Sequence, residues 1–112
     1  MKRFAFLTLL LLSLTAVKAQ YRVDRLITAG RSALYYDDFV LSIKYFNLAI
    51  SAKPYLYEPW YYRSIAKYNL DDFQGAENDA TEAIGLNPYI NDIYDLRAIC
   101  KIRQERYDEA VT

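Results

Sequence analysis

Two pairs of adjacent carboxylates and one thiol are the residues of this chain best suited to chemistry. Asp37-Asp38 and Asp71-Asp72 could hold calcium, or act as paired catalytic carboxylates. Cys100, the sole cysteine, could serve as a nucleophile if a base drew off its proton. The chain contains no histidine, which removes the commonest base and the commonest metal-binding nitrogen. Three glycines form no phosphate-cradling loop.

The spacing of the carboxylate pairs supplies a different reason for them. Asp37-Asp38-Phe39 returns 34 residues later as Asp71-Asp72-Phe73, Ala49-Ile50 as Ala83-Ile84, and Pro54-Tyr55 as Pro88-Tyr89. A fixed period of this length marks stacked units, each burying its apolar face only against its neighbours. Both pairs then fall in the same turn of successive units, with Glu105-Arg106 in that place in a third. Capping of helix starts and solvated turns explain the pairs. The register also sets Ser32 and Ala66 level with Cys100, so that position calls for a small buried residue. No catalytic residue, metal site or cofactor is expected.

Within each unit the pattern is helical. Trp60, Tyr61, Ser64, Ile65 and Tyr68 form one stripe of a 3.6-residue period, and Ala76, Ala80, Ala83 and Ile84 form another. Asn69-Leu70-Asp71-Asp72 lies between them, with Asp72 placed to cap the second helix; Tyr35-Tyr36-Asp37-Asp38 matches it in the first unit. Lys53-Pro54 and Asn87-Pro88 close the units, because the residue before proline is pushed out of the helical region. Small residues recur at Gly30, Ser64 and Ala98, and at Ser42, Ala76 and Ala110. Large ones recur at Leu26, Trp60 and Tyr94, and at Phe39, Phe73 and Tyr107. Close helix approach at the small positions, with large side chains filling the space between, is a packing code.

These residues resemble the tetratricopeptide repeat family, whose pattern W-x2-L-G-x2-Y, then A-x3-F, then P recurs every 34 residues. The second unit (57–90) supplies Trp60, Ser64 for the small residue, Ala76, Ala83 and Pro88. The first (23–56) supplies Gly30, Phe46, Ala49 and Pro54, with Leu26 for Trp and Ser42 for Ala. A partial third (91–112) supplies Tyr94, Ala98, Tyr107 and Ala110. Lys67 where an aromatic is usual, and Ala80 where Phe is usual, imply slightly looser packing. The resemblance implies an all-α fold, a right-handed superhelical solenoid of antiparallel helix pairs with about two and a half repeats.

The resemblance further implies a non-catalytic protein–protein interaction scaffold whose first helices line a concave groove. By register, the first unit would offer Ile27, Arg31, Leu34 and Tyr35 to that groove. The second would offer Glu58, Tyr61, Tyr62, Ile65 and Tyr68, and the third Asp92, Asp95, Leu96, Ile99 and Arg103. The expected contact set is Arg31, Tyr35, Tyr61, Tyr62, Ile65, Tyr68, Asp95 and Ile99. Twelve tyrosines suit a protein or peptide partner, since tyrosine gives large contact area at low entropy cost. The cationic carboxylate clamp of chaperone-binding members has no counterpart beyond Arg31 and Arg103. A glycan-binding face, or a docking segment of a larger envelope enzyme or sensor, are the alternatives left open.

The ends carry their own signals. Lys2 and Arg3 precede an apolar stretch from Phe4 to Val17, and Val17-Lys18-Ala19 sets small residues before a cut ahead of Gln20. Residues 1–19 therefore read as a secretory signal peptide, its apolar stretch short of the roughly 20 residues that span a bilayer. The chain is expected to be exported, to the periplasm or cell envelope or as a secreted protein, meeting the membrane only through this segment. Residues 20–112 form one helical repeat domain. Removing Lys2, Arg3 and Lys18 leaves 11 Lys+Arg against 14 Asp+Glu, a net charge of −3 with no basic face for nucleic acid. The third unit stops inside its expected second helix. Leu96, Ile99 and Ile102 should then be partly uncovered, and Glu105 to Thr112 frayed, paired with another chain, or continued by a longer array.

Overall fold

The computed structural model describes the backbone of residues 2–111 and the side chains of residues 2–106. Five helices follow one another: α1 (Lys2–Tyr35), α2 (Phe39–Ala52), α3 (Tyr57–Asn69), α4 (Phe73–Leu86) and α5 (Asn91–Val111). Each packs on the next, so α1/α2 and α3/α4 form antiparallel hairpins and α5 covers the open side of α4.

Two aspartates make each hairpin turn. Asp37 and Asp71 take left-handed backbone conformations with φ of 60° and 63°, which aspartate tolerates better than most residues. Asp38 and Asp72 follow as N-caps, accepting hydrogen bonds from Leu41 N at 3.3 Å and Gly75 N at 3.0 Å. The capping expectation for the carboxylate pairs is met in both units. At the other end, Lys53 (φ −141°, ψ 84°) and Asn87 (φ −146°, ψ 97°) leave the helical region ahead of their prolines.

The third unit departs from expectation. A turn was expected at Glu105-Arg106, yet α5 runs unbroken through both residues to Val111. The cause is local. Glu105 stands where the left-handed aspartate would be, and Arg106 where the cap would be. Both are good helix formers, and arginine has no oxygen to accept a helix N–H. Among the described residues there are two helix pairs and a fifth helix, the two and a half repeats expected, with α5 running on where a turn was expected. The side chains of Tyr107 and Ala110 lie outside the described residues. Without a covering helix, Ala98 is exposed although its equivalents Gly30 and Ser64 are buried. Ile99 and Ile102 are 42% and 50% exposed, as their expected uncovering requires.

Packing inside the pairs follows the small-residue code where both helices are present. Ser64 and Ala76 are fully buried, and Ser64 Oγ donates to Ala76 O at 2.6 Å across the α3/α4 contact. Ala80, Ala83 and Ile93 form a buried cluster filled in by Tyr57, Trp60 and Tyr61. At Lys67 an ion pair stands where an aromatic is usual. Asp79, 3% exposed, receives Arg63 through Nε at 2.7 Å and Nη2 at 2.8 Å, and Lys67 Nζ at 3.0 Å. A charged seam thus replaces the usual apolar one; removing one member of such a buried pair strands charge and costs about 3–5 kcal/mol.

The units are joined by one repeated bond. Trp60 Nε1 donates to Pro54 O and Tyr94 OH to Pro88 O, each at 3.0 Å, so the same register position holds the preceding loop twice. Tyr94 is therefore a hinge pin at the surface, 37% exposed, rather than the core residue expected.

In α1 the first buried residue is Val23; residues 2–22 are exposed. Among the described residues, Gln20 is the first whose side chain reaches another element, accepting from Lys53 Nζ while donating to Asp24 Oδ1. α1 as a whole is long enough, and its most apolar 18-residue window with mean hydropathy 1.5 apolar enough, to cross a membrane, a property that a signal sequence near the N-terminus shares.

Gly30 lies against the ring of Phe46, which is fully buried and cannot swing away; a Cβ there would collide with Phe46 Cε1. Alanine gains about 1 kcal/mol of helix propensity over glycine, while overpacking a filled core costs about 1–3 kcal/mol. Gly30→Ala should therefore lower the urea unfolding midpoint, a result opposite in sign to that of an exposed helical glycine.

Candidate partner-binding face

The first helices α1, α3 and α5 adjoin one another in sequence of units. Across them runs a column of flat groups. The Arg31 guanidinium of α1 sits 5.0 Å from the Tyr62 ring centroid on α3. Tyr62 stacks on Tyr61 at 5.5 Å with only 9° between planes, and on Phe46 of α2 at 5.8 Å and 24°. Tyr61 in turn packs against Ile93 of α5 and the alanines of α4. Adjacent residues on a helix do not normally face each other. Here Phe46 and the buried cluster hold Tyr62 and Tyr61 from opposite sides, and the rings meet between them.

Of the expected contact set, Arg31, Tyr61 and Tyr62 are brought together. Ile65 is half-buried on the same helix, while Asp95 and Ile99 are exposed on α5. Tyr35 and Tyr68 have other engagements. Tyr35 ends α1, 81% exposed, and meets Tyr36 edge-on at 5.2 Å at the turn. Tyr68 packs edge-to-face on Phe73 at 5.5 Å, tying α3 to the start of α4.

The field on this face is negative at the α5 end. Burial, then the neighbouring Asp92 carboxylate, raises the Tyr61 phenol above its usual range; burial, then Glu58, does the same for Tyr57. Glu58, Asp92 and Asp95 make no ion pair among the described residues.

Cys100 is fully buried, and burial, followed by the nearby Glu77 carboxylate, pushes its thiol up to about 11. Its equivalents divide: Ala66 is buried as expected, but Ser32 is exposed. No group of three metal-ligating side chains occurs among the described residues.

The Arg63–Asp79–Lys67 seam was not foreseen, although the four-residue spacing of Arg63 and Lys67 on the face that meets α4 was a visible signal. Arg63 also donates to Asn47 Oδ1 at 2.8 Å and lies 4.9 Å over Trp60, so it links α2, α3 and α4. The first unit has Ala29, Ala33 and Tyr45 at the equivalent positions. Two clefts of about 330 and 350 Å³ open there on either side of Tyr45, and neither is lined by Tyr61 or Tyr62.

No family model and no curated protein matches the chain. Among solved structures, the chain is similar to the TPR2B-domain:pHsp70 complex of yeast Sti1. The TM-score is 0.74 at 21% identity, covering 80% of this chain and 72% of that one. The fold is accordingly TPR-like, an all-α solenoid of helix pairs.

The Cys100 thiol allows a direct check. Its folded value near 11 lies above the reference of 9.0, so the native state keeps a proton that the unfolded chain releases. Its stabilising contribution is complete below pH 9 and lost as pH rises through 11. Cys100→Ala, which copies Ala66, should flatten the fall in urea midpoint across that window. At pH 8 the native thiol should resist an aromatic disulfide reagent that labels it once the chain unfolds.

Proposed function

We propose that this protein is a non-catalytic interaction scaffold that binds a peptide or protein partner on the face formed by α1, α3 and α5. The observation that carries the reading is the Arg31–Tyr62–Tyr61 column, which spans two units and abuts the third. Stacked rings fixed from below offer contact area with little rotamer freedom left to lose on binding. Among the described residues, Glu58, Asp92 and Asp95 beside it make no ion pair, so the face has polar groups ready for a ligand. Support comes also from the structural neighbour, itself a complex with pHsp70. That ligand is not carried over to this chain, whose expected groove offers only Arg31 and Arg103 as cations.

We propose further that residues 1–19 direct export and are removed ahead of Gln20, leaving the domain in the cell envelope. The exposed apolar arm of α1 and the first tie to the fold at Gln20 support this.

A random peptide library selected on the full chain tests the binding reading. Tyr61→Ala should weaken selected peptides by about 2 kcal/mol, roughly thirty-fold, as expected of an interface anchor. Far-UV circular dichroism should stay that of the parent. Selected peptides that bind Tyr61→Ala and Tyr62→Ala as tightly as the parent would place the site elsewhere.

A further inference from the structure

We infer that a trough along the outer side of α1 and α2 seats an amphipathic helix of a partner protein. That helix would carry large apolar residues at i and i+7 and a carboxylate one turn further on. The site lies away from the Tyr61–Tyr62 column and does not depend on it. One face of the first helices is covered twice in this molecule and left bare once. α2 lies against the preceding side of α3, where Arg63 donates to Asn47 Oδ1 and Trp60 to Pro54 O. α4 does the same for α5, where Gln104 and Lys101 meet Glu77 and Tyr94 meets Pro88 O. On α1 and the turn after it, the equivalent positions are Leu26, Ala29, Ala33 and Tyr36. Among the described residues α1 packs only on α2 and α3, so no helix lies on that preceding side.

The bare face is also hollow. Where unit two fills this space with Arg63, Lys67 and Asp79, unit one has Ala29, Ala33 and Tyr45. Clefts of about 330 and 350 Å³ result, one on each side of Tyr45 and both open to solvent. The first is lined on α1 from Tyr21 to Ala29, the second from Ala29 to Ala33 with Tyr36 beyond. Their centres lie about seven residues apart along one helix, roughly 10 Å. Two turns of a helix laid against α1 cover the same distance, so its side chains at i and i+7 would enter both clefts. An alanine floor calls for large side chains there. In an extended strand, residues about 10 Å apart are three apart and face opposite ways, so a strand fills only one cleft.

Charge sets the direction. Arg22 and Arg25 line the first cleft and make no ion pair among the described residues, and Arg25 lies 5.7 Å over the Tyr21 ring. Asp38 lines the second cleft. A helix running antiparallel to α1, as α2 runs to α3, brings its negative C-terminal end to the arginines and its positive start to Asp38. A carboxylate at i+11 then stands one turn beyond the residue in the first cleft, level with Arg22. The exposed apolar arm of a second copy supplies Phe4 and Leu11 at this spacing, but Thr15 where the carboxylate is called for.

Fluorescence anisotropy of the full chain with labelled, alanine-rich helical peptides tests the assignment. The probe has leucine at i and i+7 and glutamate at i+11. One comparator sets the leucines at i and i+5, one has lysine for the glutamate, and one reverses the sequence. The probe should bind at least about ten-fold tighter than each. The triple variant Ala29→Arg/Ala33→Lys/Tyr45→Asp copies the unit-two seam; it should close both clefts and cost about ten-fold with helicity retained. Arg22→Glu, at an exposed position, should reverse the preference and take the lysine peptide over the glutamate one. Tyr61→Ala should leave the probe's affinity unchanged, which separates this site from the aromatic column. Equal binding of the two leucine spacings overturns the two-cleft seating, and undiminished binding to the seam copy overturns the site. Equal binding of the reversed peptide, or an unchanged charge preference in Arg22→Glu, overturns the orientation. A full-chain dimer that the seam copy dissolves, with no peptide bound, would give the trough to the arm of a second copy and overturn the partner.

Discussion

A left-handed aspartate followed by a capping aspartate is the constraint on which the rest of this structure depends. Asp37 and Asp71 turn the chain sharply, and Asp38 and Asp72 restart it as a helix within one residue. Only then can the second helix fold back and bury the small-residue face of the first. The third unit gives the comparison within the same molecule. With glutamate and arginine in those two places the helix continues, and the face that α4 covers in unit two stays open on α5.

Once the pairs exist, the two units seal them differently. Unit two inserts the Arg63–Asp79–Lys67 seam between α3 and α4, while unit one packs Phe46 against Gly30 and leaves clefts beside Tyr45. The buried ions are satisfied by direct partners, and no buried side-chain polar atom among the described residues lacks one. Phe46 serves two purposes. It fills the α1/α2 contact and supports Tyr62 from below, so core packing and the ordering of the surface column are one arrangement.

The legible part of this structure was whatever the register repeats. The helices α1 to α4, the proline stops and the caps all follow from equivalences 34 residues apart. What escaped was whatever breaks the repeat or spans it. The unbroken α5 needed attention to what Glu105 and Arg106 lack, not to where they fall. The charged seam escaped because Arg63 and Lys67 replace residues expected to be apolar, and their partner Asp79 lies on another helix. The tyrosines sorted only in three dimensions. Tyr68 and Tyr35 carry the same side chain as Tyr61 and lie on the same series of helices. Phe73 and Tyr36 engage them, whereas Phe46 and Ile93 set Tyr62 and Tyr61 into a column.

The central claim is that the face of α1, α3 and α5 is the binding surface, and an amide chemical-shift titration of the full chain with a library-selected peptide tests it most directly. The account predicts that shifts concentrate at Arg31, Tyr61, Tyr62 and their neighbours on α3 and α5, leaving the outward positions of α2 and α4 unmoved. Shifts gathered instead around Tyr45, or along α4 beside Glu77 and Glu82, would contradict it.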